Sequence, residues 1–448
     1  MDIISTLCVA PPSGMWARLI NWFFGGIGNF GWTILIVTII VKLIVSPLEF
    51  LVKYNSKKQS LIQQKCAPQI AKIQKKFGKD QQTIKIQTQS LYKREGLNAG
   101  AGCIIMLVNL VVTLVIFFSF FSALRKNSAY EAINQYEILE EVYSTENKSL
   151  IQENGSNIKY YSGNPVVDEI TTNEFISEFN DAIKVNELDK QIKALDAEAN
   201  AQEIESLNAQ IDEIVNKYND EESENPRSKE YFTTLYAENI DLIKSIYEDS
   251  ANKVVVKWNE IKSDWLWVEN IWVQDALIYP FPTYENLVKM AKSGGYEDYV
   301  SNNLKQENYT EIASIVNSKG GRTNNGYYIL AVLSALITFL SQYISELNNN
   351  LKNKKAKQLA KDSMSESMQT TSKFMKLFMP LLMVVFVLQS SASFGIYIIA
   401  SNVVAIGVGQ LEAFIINKIT HKKQLEVEAV LEKEADRLIR KGKLQEKK

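Results

Sequence analysis

A single lysine interrupts an apolar stretch near the start of the chain. Apart from Lys42, residues 31–47 contain only glycine, proline, hydroxyl-bearing and apolar side chains. Lys42 lies eleven residues before Lys53. At a rise of about 1.5 Å per helical residue, this spacing places Lys42 about 16 Å from Lys53, which is near the midplane of a membrane core about 30 Å thick. Because a lysine stem spans only roughly 6 Å, the ammonium group needs water or a polar partner there. Its chemistry would be the attraction of anionic groups.

Two environments could solvate Lys42. Glu49 and Glu412 are acids inside apolar segments, and both lie several ångströms nearer the basic flanks than Lys42 does. One interpretation is therefore a stretched ion pair with Glu412. The other is a water-filled cavity lined by hydroxyl and amide groups, each of which alone more often bonds neighbouring helices together. The candidate groove residues are Lys42, Thr38, Asn109, Thr113, Gln342, Asn402 and Glu412.

Five apolar segments have about the length of membrane spans. They are residues 28–52, 99–124, 327–347, 375–391 and 394–416. The fourth has a short apolar stretch, Leu377–Leu388, which covers only about 18 Å as a helix and would thin the bilayer locally. We expect an all-α integral membrane protein with five transmembrane helices around a hydrophilic groove, a cytoplasmic helical hairpin and a mainly helical extracytoplasmic domain.

The charge distribution predicts the orientation of these spans. Residues 53–98 carry eleven lysine and arginine residues against two acids, and residues 351–376 carry seven against two. Residues 125–326 carry 19 basic and 37 acidic residues, a net charge of −18. Because basic loops are retained in the cytoplasm, we expect both basic loops and the C-terminus to be cytoplasmic. The N-terminus and the acidic region are then outside.

The segments between the spans have distinct patterns. Residues 1–27 predict an interfacial amphipathic helix, and residues 53–98 a helical hairpin that turns at Gly78. Residues 348–374 form a basic loop, and residues 417–448 a basic, helical tail. The tail fits contact with a ribosome or with anionic lipid equally well.

The acidic insertion, residues 125–326, is large enough for a core of its own. Apolar positions at helical spacing in 188–195 and 204–214 predict either one long helix or an antiparallel hairpin, followed by a linker at 220–226. Further on, Trp265, Trp267 and Trp272 are interpreted as an interfacial belt, with a small aromatic core as the alternative.

Residue types exclude several kinds of chemistry. His421 is the only histidine, and the three cysteines fall in different regions of the chain, without metal-ligand spacing. The sequence contains no glycine-rich phosphate loop and no arrangement of nucleophile, base and orienting group. We therefore predict no catalytic residues, no cofactor and no metal, and hence a protein that is not an enzyme.

Several motifs together resemble the YidC family of membrane-protein insertases in its five-span Gram-positive form. The resemblance covers all five spans and the first hairpin. It is carried by residues 29–33 with Lys42 and 47–48, by 91–98 with 102–103, and by 329–342, 379–381, 395–397 and 401–402. Residues 265–268 with Asp275 resemble the family's segment before the third span. Lys42 stands where the family usually has arginine, and the large external insertion is not part of the usual form.

The resemblance implies a bacterial cell-membrane protein with a groove open to the cytoplasm and to lipid. Its positive charge would attract acidic tails of nascent membrane proteins. The lipid bilayer is then an obligatory partner, a Sec-type translocon and the ribosome are candidate partners, and no DNA is involved. The alternative function is a transporter or channel for a small anion, which predicts a pathway open on both sides. A scaffold that binds a partner through its external domain leaves Lys42 unexplained.

Overall fold

The computed structural model describes residues 9–78, 80–96, 99–160, 166–196, 199–219, 226–349, 378 and 380–440. Within those ranges the chain is helical, and its one β feature is an isolated bridge between Trp265 and Val268. The helices are α1 (Met15–Ile27), α2 (Phe30–Phe77), α3 (Gln81–Arg94), α4 (Ala99–Glu153), α5 (Glu169–Ala194), α6 (Ala201–Asn216), α7 (Lys229–Ile261), α8 (Tyr284–Gly294), α9 (Glu297–Asn303), α10 (Gln306–Lys319), α11 (Ile329–Asn349), α12 (380–388) and α13 (Ala392–Arg440). The all-α prediction is confirmed for the described chain.

Three helices among the described residues contain stretches long and apolar enough to cross a membrane: α2, α4 and α13. The apolar part of α11, Ile329–Ile344, is shorter, and nine residues of α12 are described. Large apolar side chains such as Ile44, Phe118 and Phe414 point outward and are more than half exposed. Outward apolar faces of this kind are typical of helices surrounded by lipid. The count of five spans stays a prediction.

Helix α2 continues well beyond its apolar part. Asn29 caps its start by accepting a hydrogen bond from the backbone N–H of Trp32, and the helix passes through Pro47 and Pro68 without ending. It ends at Gly78, whose φ of 57° lies in the region that favours glycine. Helix α3 then runs back beside it. An ion pair of 2.6 Å between Lys65 and Glu95 joins the two helices at the base of this hairpin.

The chain divides into two compact units, which are described separately. The first comprises Met1–Ala132, Ser263–Asn303 and Arg322–Lys448. Its core includes Ile34 of α2, Phe120 of α4 and Phe394 of α13, packed with Trp265 and Trp272. Both tryptophans are buried, so the interpretation of this aromatic segment as an interfacial belt is wrong for them. The alternative, a core of the external region alone, is also wrong for them, because they share one core with α2, α4 and α13. The Trp265 ring also fills the space where a side chain of Gly31 would lie.

Residues 417–440 of the predicted basic tail directly extend the last apolar helix. Helix α13 is continuous from Ala392 to Arg440. Its apolar positions Val427, Leu431 and Ala435 pack against Leu61 of α2. The tail therefore buries one face against the hairpin and leaves its basic side chains on the other faces. Residues 350–374 of the predicted basic loop, residues 375–377 of the predicted fourth span and residues 441–448 lie outside the described part of the chain.

The second unit comprises Ile133–Lys262 and Leu304–Gly321. Its core is formed by side chains such as Phe175 and Val185 of α5, Ile211 of α6 and Phe232 of α7. Helices α5 and α6 are separate and pack together, so the hairpin interpretation is correct and the single long helix is wrong. The predicted linker lies outside the described residues except for Pro226.

Candidate functional site: a row of charges on α2

Four charged side chains form a continuous row on α2 and α13. The Nζ atom of Lys42 lies 3.6 Å from Oε1 of Glu49, and Oε2 of Glu49 lies 3.9 Å from Nζ of Lys53. Lys53 in turn makes an ion pair of 2.6 Å with Oε2 of Glu412 on α13. Two cations and two anions therefore alternate along the row.

The partner of Lys42 corrects the sequence analysis. A stretched pair between Lys42 and Glu412 does not form, because Glu412 is bound to Lys53 and Glu49 is the carboxylate beside Lys42. Depths counted along the chain describe Cα positions and neglect the side chains. Because Cα–Cβ bonds tilt toward the N-terminus of a helix, the Glu49 side chain extends toward Lys42. The flexible stem of Lys42 extends toward the C-terminus of α2 to meet it. Together they close a gap of about 10 Å between residues seven positions apart.

The two ion pairs at the ends of the row differ in strength. Glu412 is 7 % exposed and accepts a short hydrogen bond from Lys53, whose side chain is 42 % exposed. The 3.6 Å separation of Lys42 and Glu49 exceeds a hydrogen bond, and the two side chains are 23 % and 18 % exposed. The Lys42 ammonium donates no hydrogen bond to any described residue. Its charge is thus held by a weak and accessible partner.

Two of the predicted polar residues, Thr38 on α2 and Asn402 on α13, have structural hydrogen bonds. Thr38 lies one turn before Lys42, is buried, and donates to the carbonyl of Ile34 in its own helix. Asn402 donates to the hydroxyl of Thr338 at 3.2 Å and so connects α13 with α11. These bonds satisfy polar groups inside an apolar environment.

The three remaining candidates are not bonded to Lys42 in the described part of the chain. Within the described chain, no hydrogen bond or ion pair connects Asn109, Thr113 or Gln342 to Lys42. Asn109 and Thr113 lie one turn apart on α4, and Thr113 is exposed. Gln342, on α11, is half-buried. The side-chain carbonyl oxygen of Asn109 is buried and accepts no hydrogen bond from a described residue. A groove that joins all seven candidates therefore remains a prediction.

Sequence reasoning missed three charged residues of this site, namely Glu49, Lys53 and Lys57. Lys57 lies one turn after Lys53 and is buried, and both lysines line a cavity of about 190 Å³ together with Ser341 of α11 and Ile406 of α13. Burial lowers the pKa of Lys57, and the nearby charge of Glu428 opposes that shift. The signal was present in the sequence, since Glu49, Lys53 and Lys57 recur every four residues and share one helix face.

The fold and these charges define a class of protein. An all-helical chain with three helices able to cross a membrane, outward apolar faces and charges partly buried within a span is a multi-pass membrane protein. Residues 22–160, which include Lys42, Glu49 and Lys53, match the sequence model of the family described as the 60 kDa inner membrane protein.

Curated relatives agree with that match. The protein of Fusobacterium nucleatum is 36 % identical over 101 residues, which are 22 % of this chain and 47 % of the relative. The protein of Rickettsia canadensis is 38 % identical over 104 residues, 23 % of this chain and 17 % of the relative. The protein of Wolinella succinogenes is 29 % identical over 111 residues, 25 % of this chain and 20 % of the relative. Each is named membrane protein insertase YidC.

The region around residues 22–160 is thus similar to the YidC family of membrane-protein insertases. The alignments span less than half the length of each of these relatives. No solved structure matches the chain.

Proposed function

We propose that this protein inserts nascent membrane proteins into a bacterial cell membrane. The observation that carries the proposal is the position of Lys42, a partly exposed cation with one weak partner, inside the region that matches the family. The names of the curated relatives support the same activity. No covalent step and no nucleotide is needed for it.

In the proposed mechanism, Lys42 attracts the acidic tail of a substrate. A carboxylate of the tail replaces Glu49 beside the ammonium group, and this attraction offsets part of the cost of bringing the acid into the membrane. The apolar helix of the substrate then moves into lipid and supplies the driving free energy, about 25 cal/mol for each Å² of apolar surface removed from water. The tail is released on the outer side as the helix enters the bilayer.

We further propose the topology of five spans with the N-terminus outside and the C-terminus in the cytoplasm. The charge bias of the loops supports it, as does the apolar character of α11 and α12 beside the three longer helices. In this orientation the hairpin of α2 and α3 and the tail of α13 are cytoplasmic. Their basic faces are proposed contacts for a substrate, a ribosome or anionic lipid, and a Sec-type translocon is a further candidate partner.

Rescue of cells depleted of their own insertase tests this function. The full chain, expressed from a plasmid, is expected to restore both growth and insertion of a single-span protein with an acidic N-terminal tail. Purified protein in vesicles should at the same time give no flux of chloride or phosphate. Failure of rescue together with anion flux would reject the insertase and favour the transporter.

A further inference from the structure

The first unit contains a second cavity, which includes none of the groove candidates. Its volume of about 840 Å³ lies within the range of about 300–1,000 Å³ typical of small-molecule sites. It is formed by the end of the apolar part of α4, the segment 272–283, helix α8, and the residues that follow α12.

The charges that line this cavity are all positive. Arg125 of α4 and Lys289 of α8 are its charged residues, and none of the lining residues is an aspartate or glutamate. Neither cation takes part in an ion pair with another described residue, although the guanidinium group of Arg125 lies over the ring of Phe121 at 5.5 Å. This excess of positive charge is unusual, because residues 125–326 have a net charge of −18. The cavity is therefore complementary to an anion.

Apolar groups surround the two cations. Trp272 and Phe281 are buried and form the wall, whereas Leu277, Tyr279 and Phe386 are large apolar residues that remain exposed. Phe121 and Phe386 belong to the ends of apolar helical segments, and the polar residues 389–391 follow directly after α12. In the proposed five-span topology, a site at the ends of these two apolar helices lies at the level where lipid headgroups meet the acyl chains.

Hydrogen bonds hold the wall in place. The side chain of Asn325 donates to the carbonyls of Asn270 and Gln274, at 2.9 and 2.8 Å, and accepts from the backbone N–H of Asn270. The backbone N–H of Ala392 donates to the carbonyl of Val273 at 2.8 Å. Because these bonds fix the segment 270–274, the cavity is preformed and little ordering accompanies binding.

We propose that this cavity binds the phosphate headgroup of an anionic phospholipid. Arg125 and Lys289 bind the phosphate oxygens, and the acyl chains leave along Phe386 and Leu277. An acidic peptide would satisfy the two cations but would leave the apolar residues at the membrane level without a partner. A lipid satisfies both parts of the site.

Native mass spectrometry of the full chain tests this proposal. The protein is released from nanodiscs of one part phosphatidylglycerol to four parts phosphatidylcholine, and the retained lipids are counted. Arg125→Ala with Lys289→Ala is compared with a control in which Lys126 and Lys292 are changed to alanine. These control lysines lie on the same two helices outside the cavity, and the change in charge is equal.

The wild type and the control are expected to retain phosphatidylglycerol and not phosphatidylcholine. The double variant should retain it at least about five-fold less, and Lys289→Glu alone should lower retention as well. The proposal is overturned if the double variant retains as much as the control, or if both lipids are retained equally. It is also overturned if an acidic decapeptide displaces the lipid while inorganic phosphate and glycerol phosphate do not.

Discussion

Lys42 and Glu49 form an ion pair along one helix, with 3.6 Å between Nζ and Oε1. Glu49 is also 3.9 Å from the ammonium group of Lys53, so that one carboxylate lies between two cations. Neither distance is that of a hydrogen bond. The positive charge of Lys42 is therefore balanced by a partner that an incoming carboxylate can replace.

The first prediction concerns the competition between Glu49 and a substrate carboxylate for the ammonium group of Lys42. Glu49→Gln removes the competing carboxylate and should increase insertion of an acid-tailed substrate by about two- to five-fold, as expected for a pair worth up to about 1 kcal/mol. Protease protection of the translocated tail measures it. Glu95→Gln, which removes a carboxylate from the pair with Lys65 outside the apolar part of α2, is the control and should change nothing. Reduced insertion by the Glu49 variant would argue against competition.

A second prediction concerns the pair of Lys53 and Glu412. Lys53→Met leaves the buried carboxylate of Glu412 without its cation, and we expect a loss of about 2–4 kcal/mol in the free energy of unfolding. The double variant Lys53→Met with Glu412→Leu removes both charges and should recover at least half of that loss. Thermal unfolding in detergent of the wild type, the two single variants and the double variant measures this double-mutant cycle. Additive losses would show that the two residues are not coupled.

Gly326 provides a third prediction. Asp275 accepts hydrogen bonds from the backbone N–H groups of Tyr327 and Leu330 at the start of α11, at 2.9 and 2.6 Å. A Cβ atom on Gly326 would collide with the carboxylate of Asp275. Gly326→Ala should therefore lower the free energy of unfolding by about 2 kcal/mol or more. Gly25→Ala, where a Cβ meets open space in α1, is the control and should change it by less than about 1 kcal/mol.

A fourth prediction concerns pH and the second unit. Burial raises the pKa of Asp181, but hydrogen bonds from Lys217 at 2.8 Å and Tyr218 at 2.6 Å outweigh it, so the pKa is lowered overall. Because the folded-state pKa is lowered, the ionised carboxylate stabilises the unit above the unfolded pKa of about 3.9. That contribution is lost as the pH falls through the lower folded-state value.

Asp181→Asn should accordingly lower the protection of α5 and α6 by about 1–2 kcal/mol at pH 7, and the difference from wild type should vanish well below pH 3.9. Hydrogen exchange of the full chain, read by mass spectrometry after a short exposure at each pH, measures this protection. Asp212→Asn, an exposed residue of α6, is the control. A difference that persists unchanged at low pH would contradict the role of the ionised form.

The sequence predicted helices better than it predicted contacts. Periodic apolar positions identified α5 and α6, and turn chemistry identified Gly78, because both signals are local. The ion pair of Lys42 with Glu49 was not among the alternatives that the sequence offered, since depth along a helix neglects the reach of two long side chains. The burial of Trp265 and Trp272 and the bond from Asn270 to Asn325 depend on residues more than 50 positions apart in the chain, and no local pattern encodes such pairs.

Insertion by purified protein in vesicles tests the central claim about Lys42 most directly. Two single-span substrates that differ only in an acidic or a neutral tail are compared in wild type, Lys42→Arg, Lys42→Ala and the control Lys75→Ala, an exposed lysine of α2. The account predicts that Lys42→Ala translocates the acidic tail at least about ten-fold less and the neutral tail nearly as well, while Lys42→Arg and the control resemble wild type. Equal translocation of the acidic tail by Lys42→Ala and wild type would contradict it.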